Sequence, residues 1–190
     1  MANPFFPMLL LLQIIIVVAA VVLDTQSSGG LTAACTRTSD VGFCMHLLEP
    51  YADQFEDNDP NKMGYAAISA ALSRAHEAQA FTVRQTTEPG LCSLGRAAVM
   101  GCLKNLDASA ESLRLASFEF DEMEGAEEQK REVHRSNVMN KIVTAINDQK
   151  ACSDSLKKNS TLIGYEIIQK VGEQADEAAR AGVLAQAFIQ

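Results

Sequence analysis

Five cysteines, three histidines and a dense run of carboxylates are the residues of this 190-residue chain whose types could do chemistry. His46, His76 and His134 lie in separate segments. None belongs to a recognisable ligand pattern at the three- or four-residue spacing that puts two metal ligands on one helix face. His76 stands beside Glu77, but adjacent helix positions point different ways. All three therefore read as partly exposed helix histidines. Asp121, Glu122, Glu124, Glu127 and Glu128 form the densest acidic cluster. General acid–base work needs a pocket that drives two carboxyl pKa values apart, and a charge-rich turn offers none. The spacing also misses the calcium-binding EF-hand loop. No glycine-rich phosphate loop, nucleophile elbow or H-E-x-x-H occurs. Met63, Met100, Met123 and Met139 are scattered as core gap-fillers. The reading is of a protein that is not an enzyme and calls for no metal or cofactor.

The cysteines are different, because their meaning depends on compartment. Residues 1 to 23 carry no charged side chain, and Met8 to Leu23 is apolar except for Gln13. Asp24 and the small polar run Thr25 to Gly30 follow. This is the pattern of a secretory signal peptide, placed over residues 1–28, with cleavage between Thr25 and Gly30. The alternative is an uncleaved anchor. The apolar run is short for that, since a span needs about 20 residues, and it lacks a basic stop-transfer flank. After cleavage no membrane partner is expected.

Secretion exposes Cys35, Cys44, Cys92, Cys102 and Cys152 to an oxidising environment, where two disulfides and one odd thiol are expected. Each choice of the odd cysteine leaves three pairings, and spacing alone does not choose among them. Asn159-Ser160-Thr161 is an N-glycosylation sequon, which makes Asn159 a candidate glycan site on a surface loop.

The elements that must position these cysteines read as helices throughout. Cys102 lies on one stripe with Ala98, Leu106, Ser109 and Leu113, at steps of three and four. Two short helical pieces flank Thr38-Ser39-Asp40. Ser39 or Asp40 caps the second, which carries Val41, Cys44, Leu47 and Leu48 on one side and is limited by Pro50. Neither is stable alone; a Cys35–Cys44 bridge would tie them into a hairpin, contributing roughly 2–3 kcal/mol in the chain-entropy model.

A helix is expected over about 60–85, with Tyr65, Ile68, Leu72, Ala75, Gln79 and Val83 on its inner face. Another runs over about 92–118, with Asp107, Glu111 and Arg114 outward. Residues 119–132 read as a solvated connection leading into a helix, not as a binding site. A fourth segment, about 127–147, carries Val133, Met139, Ile142, Val143 and Ile146. The last, about 162–188, has a seam of Ile168, Val171, Ala175, Ala178, Gly182, Ala185 and Ile189 spaced alternately by three and four, as bundles bury. No strand pattern appears. The net charge of −8 and the pI near 4.9 exclude a basic stripe for nucleic acid.

Taken in order, four stretches resemble the plant invertase and pectin methylesterase inhibitor family. They are the run CTRTSDVGFC from Cys35 to Cys44, AAISAALSRAHEAQAFTV after Tyr65, AAVMGCLKNLDASAESL around Cys102, and VMNKIVTAINDQKACSDSL around Cys152. The likeness covers about residues 31–188. It implies an all-α protein: an up-down-up-down four-helix bundle with an N-terminal helical hairpin, residues 29–190 forming the inhibitor domain.

The resemblance also selects Cys35–Cys44 and Cys102–Cys152 as the bridges, with Cys92 left as a free thiol. The second bridge would contribute roughly 4 kcal/mol by the same entropy model. The implied function is a secreted, apoplastic or cell-wall inhibitor that covers the active-site cleft of a pectin methylesterase in a one-to-one complex. The alternatives are an acid invertase as the target, or a bundle that serves structure or signalling without inhibiting. The Pro-Lys-Phe element of some invertase inhibitors is absent, which favours the esterase. The resemblance assigns no partner-contacting residue.

Overall fold

A computed structural model describes residues 29–158 and 164–189. The segment read as a signal peptide, residues 1–28, and the sequon residue Asn159 lie outside the described residues. The chain divides into two compact units after Asp59. In the first, helix α1 spans 29–35 and α2 spans Val41–Leu48, continued by a 3₁₀ segment over Glu49–Phe55. The turn between α1 and α2 is built from local side-chain bonds. The Thr38 hydroxyl donates to the Cys35 carbonyl at 2.7 Å, and Asp40 accepts from the Phe43 amide at 3.1 Å as the N-cap of α2. Pro50 ends α-helical geometry, as proline must where an interior N–H is required. Gly30 lies against the Phe55 carbonyl with no room for a Cβ.

The second unit is a bundle of four helices: α3 (Pro60–Gln85), α4 (Ser93–Met123), α5 (Glu128–Lys157) and α6 (Tyr165–Ile189). Each packs on its chain neighbour, α6 also packs on α3, and α4 and α6 meet only marginally across the diagonal. The contacts run antiparallel. Cys102 meets Cys152 while the later Glu119 meets the earlier His134. This is the up-down-up-down order, and with the helical unit before it the described chain is all-α.

The core falls along heptad-spaced stripes. On α4 it is Val99, Cys102, Leu106, Ser109, Leu113, Ala116, Phe120 and Met123. On α5 it is Val138, Ile142, Ala145, Gln149, Cys152 and Leu156. Every member of the seam read on the last helix is buried. At Gly182 the approach of α5 to α6 is close: an added Cβ would sit 2.7 Å from Cγ1 of Ile146.

Three local readings change. The inner face of α3 is Gly64, Ala67, Ile68, Ala71, Ala75, Ala78 and Thr82, whereas Tyr65 and Val83 are exposed. Alanines flank both sides of this helix, so apolar spacing did not single out the inner one. Residues 119–132 are not one connection. Phe120 and Met123 carry the α4 stripe onward, and only the short turn from Glu124 to Glu127 links the helices, with Gly125 at φ 78°. A left-handed residue there favours glycine. Helix α5 continues past Asn147 to Lys157, so Cys152 lies inside it; Val133 and Val143 are exposed.

Candidate functional site

The chemistry-bearing residues are placed by packing. Cys35 and Cys44 are joined across the α1–α2 turn, with Cα atoms 5.6 Å apart, and both are fully buried. Cys102 and Cys152 join α4 to α5, with Cα atoms 4.3 Å apart. That bridge is also fully buried, in a core of Val99, Leu106, Leu156, Ile168 and Val171. It is screened from solvent reductants and acts as a staple.

Cys92 stands apart from both bridges. It is half-buried at the N-cap of α4, where its Sγ accepts from the Gly95 amide at 3.3 Å. Sulfur here takes the place that a serine or aspartate oxygen usually holds. The reading of a helix beginning near Cys92 was close, but the capping role depends on Gly95 folding back onto the sulfur.

Each seam between neighbouring helices carries a polar link. Gln79 of α3 donates to Asp107 of α4 at 2.6 Å, and Arg74 of α3 bridges Glu77 and Glu177 of α6. Lys157 of α5 pairs with Asp176 of α6 at 3.3 Å. These pairs are partly exposed and worth little individually.

The α4–α5 link is the most enclosed. Glu119 accepts from Asn137 at 3.1 Å and lies 2.8 Å from His134 Nδ1, the carboxylate and the imidazole both about three-quarters covered. The hydrogen bond from His134, then that from Asn137, holds the Glu119 carboxyl below its ordinary pKa. Sequence reading missed this trio because Glu119 fell within the assumed solvated connection. The signal was present: His134 and Asn137 are three apart on one face.

His46 and His76 are exposed, and His76 Nδ1 lies 3.2 Å from the Gln79 side-chain oxygen. Asp121, Glu122, Glu124, Glu127 and Glu128 are all exposed, and Glu128 pairs with Arg131 at 3.2 Å. Among the described residues no group of three metal-ligating side chains converges. Among them, too, no helix is long and apolar enough to cross a membrane. Asp148 on α5 is half-buried, and desolvation raises its pKa.

The arrangement is a stapled helical scaffold with polar links between helices. Such a scaffold suits recognition, since rigid elements lose little conformational entropy on binding.

A family model described as plant invertase/pectin methylesterase inhibitor matches residues 30–183. One relative is a "21 kDa protein" of Daucus carota, 26% identical over 124 residues, which cover 65% of this chain and 64% of that protein. Another is "Pectinesterase inhibitor 10" of Arabidopsis thaliana, 26% identical over 145 residues, which cover 76% of this chain and 46% of that protein. The matched part spans less than two thirds of either relative. No solved structure gave a significant match.

Proposed function

The chain belongs to the plant invertase/pectin methylesterase inhibitor family, and from that premise we propose that it is a secreted inhibitor of pectin methylesterase. It binds one enzyme molecule and blocks the active-site cleft. The single observation that carries this reading is the family match over residues 30–183, which takes in both bridged cysteine pairs and most of the bundle. The Arabidopsis relative's name favours the esterase. The family's description names invertase as well, and acid invertase is the second reading.

The physics supports a binding role. Disulfides hold α1 to α2 and α4 to α5, so the surface offered to a partner is pre-formed. The net charge of −8 suits a basic partner and steers its approach. The site of action is the apoplast or cell wall, reached through the signal peptide at 1–28. Asn159 carries a glycan in this reading, and Cys92 remains a free thiol.

The test is to secrete the chain with its bridges closed and titrate it against purified pectin methylesterase and acid invertase in parallel. Loss of esterase activity saturating at one inhibitor per enzyme is expected. Inhibition of the invertase alone selects the second reading. No binding to either enzyme refutes both and leaves a structural or signalling bundle. Intact mass under non-reducing conditions, with a peptide map, checks the two bridges, the free Cys92 and the glycan on Asn159.

A further inference from the structure

A cleft of about 240 Å³ opens between the C-terminal half of α5 and the N-terminal half of α6. Ser153, Leu156 and Lys157 line it from α5; Tyr165, Ile168, Gln169, Gly172, Glu173 and Asp176 line it from α6. Two independent features mark it as more than a packing gap. Gly172 is buried, yet a Cβ built on it would meet no atom within 4 Å. Interior glycines elsewhere in this bundle accommodate a neighbour, as Gly182 does with Ile146; Gly172 fronts open space. Ser153 is fully buried, and its hydroxyl has no hydrogen-bond partner among the described residues. Buried polar atoms are nearly always partnered.

We propose that this cleft binds a small organic amine, with its apolar body over Gly172 and its ammonium at Glu173 and Asp176. The charge of the rim selects a cation. Lys157 is already engaged, 3.3 Å from Asp176 and 3.7 Å from Asp154, so the carboxylates there outnumber the ammonium. Glu173 is exposed and accepts from Gln169 through one oxygen, Oε1 at 2.9 Å. Among the described residues its second oxygen meets no donor. Tyr165, 44% exposed at the mouth, adds an aromatic ring of the kind that attracts ammonium groups.

The floor is apolar, from Leu156 and Ile168, both about fully buried. The volume lies below the roughly 300–1,000 Å³ of sites for drug-sized ligands. The occupant is therefore short: one ring or a short alkyl chain and its amine.

The probe is phenethylamine, titrated into the secreted, oxidised chain and followed by amide chemical shifts. Phenethyl alcohol and phenylacetate, which share its body but are neutral and anionic, run alongside. Saturable shifts centred on Gly172, Glu173 and Ser153 are expected with the amine. The alcohol should bind about tenfold more weakly and the acid not measurably, a charged hydrogen bond accounting for the factor.

Gly172→Leu fills the space and should abolish the shifts. Glu173→Gln changes an exposed side chain, so it reports on the cleft even where Gly172→Leu fails to fold; it should weaken the amine about tenfold. Absence of saturable shifts overturns the proposal. So does equal binding of all three probes, unaltered affinity in Glu173→Gln, or binding that persists in a folded Gly172→Leu protein. None of these readouts involves an enzyme, so they stand or fall separately from inhibition.

Discussion

Gln149 is fully buried in the bundle core, and neither its amide nitrogen nor its oxygen has a hydrogen-bond partner among the described residues. It occupies a core position on α5 between Ala145 and Cys152, and its oxygen lies 3.7 Å from where a Cβ of Gly182 would stand. An unpartnered buried amide costs roughly 1–3 kcal/mol by the measure of protein mutations. Gln149→Met keeps the length of the side chain and removes both polar groups. It should therefore stabilise the bundle by about 1–3 kcal/mol.

For a chain of this size each kcal/mol raises Tm by about 2–4 °C. The assay is urea unfolding followed by helical circular dichroism, with the bridges intact. The midpoint should move up with an unchanged slope, since the surface exposed on unfolding is the same. Gln149→Ala serves as the contrast, because it removes the same polar groups but leaves a cavity, which opposes the gain. Destabilisation by Gln149→Met of about 1 kcal/mol or more would refute the reasoning. The amide would then be hydrogen-bonded in solution, and its burial would be a stabilising feature of the core.

The remaining predictions concern the glycines, the titrating carboxylates and the core bridge. Gly182→Ala should destabilise by roughly 1–3 kcal/mol through overpacking against Ile146, whereas Gly172→Ala should stabilise by up to about 1 kcal/mol through helix propensity; thermal unfolding of the pair compares them. Asp148 has a raised folded pKa, so its ionised form opposes folding above that pKa and the penalty fades as pH falls through it. Asp148→Asn should thus raise Tm at neutral pH, with the gain vanishing in acid. Glu119 has the opposite sign: its folded pKa is depressed, so its contribution is present above the usual glutamate range and lost as pH falls through the folded pKa. Glu119→Gln should lower Tm at neutral pH and have little effect once the native carboxyl is protonated. Replacing Cys102 and Cys152 together by alanine should cost roughly 4 kcal/mol in urea unfolding, with the loss of packing added to it.

Much of the fold was legible because helix punctuation is local. Pro60 opens α3 at the expected residue and Gln85 closes it; Asp40 caps α2; Pro50 limits it. The seam of α6 was read residue by residue because its apolar residues recur at alternating steps of three and four on one face, with Glu173 and Arg180 lying on another. The inner face of α3 was not legible. Alanine is compatible with either side of a helix, and Tyr65 and Val83 drew the stripe the wrong way. Val133 and Val143 misled in the same manner on α5, where the core runs through Gln149 and Ser153.

What the sequence by itself determined is therefore the helical class, most helix boundaries and, through the order of its cysteine-bearing stretches, the family. These follow from periodicity, capping and motif order, which act over a few residues or along the chain. Tertiary structure alone decided which polar groups were drawn into the core and which were brought together. Glu119 meets His134 and Asn137, Ser153 faces the cleft beside Gly172, and Gln149 sits opposite Gly182, because antiparallel helices pair residues distant in the chain. Local preference carries no information about that register; the close packing of one helix on the next sets it.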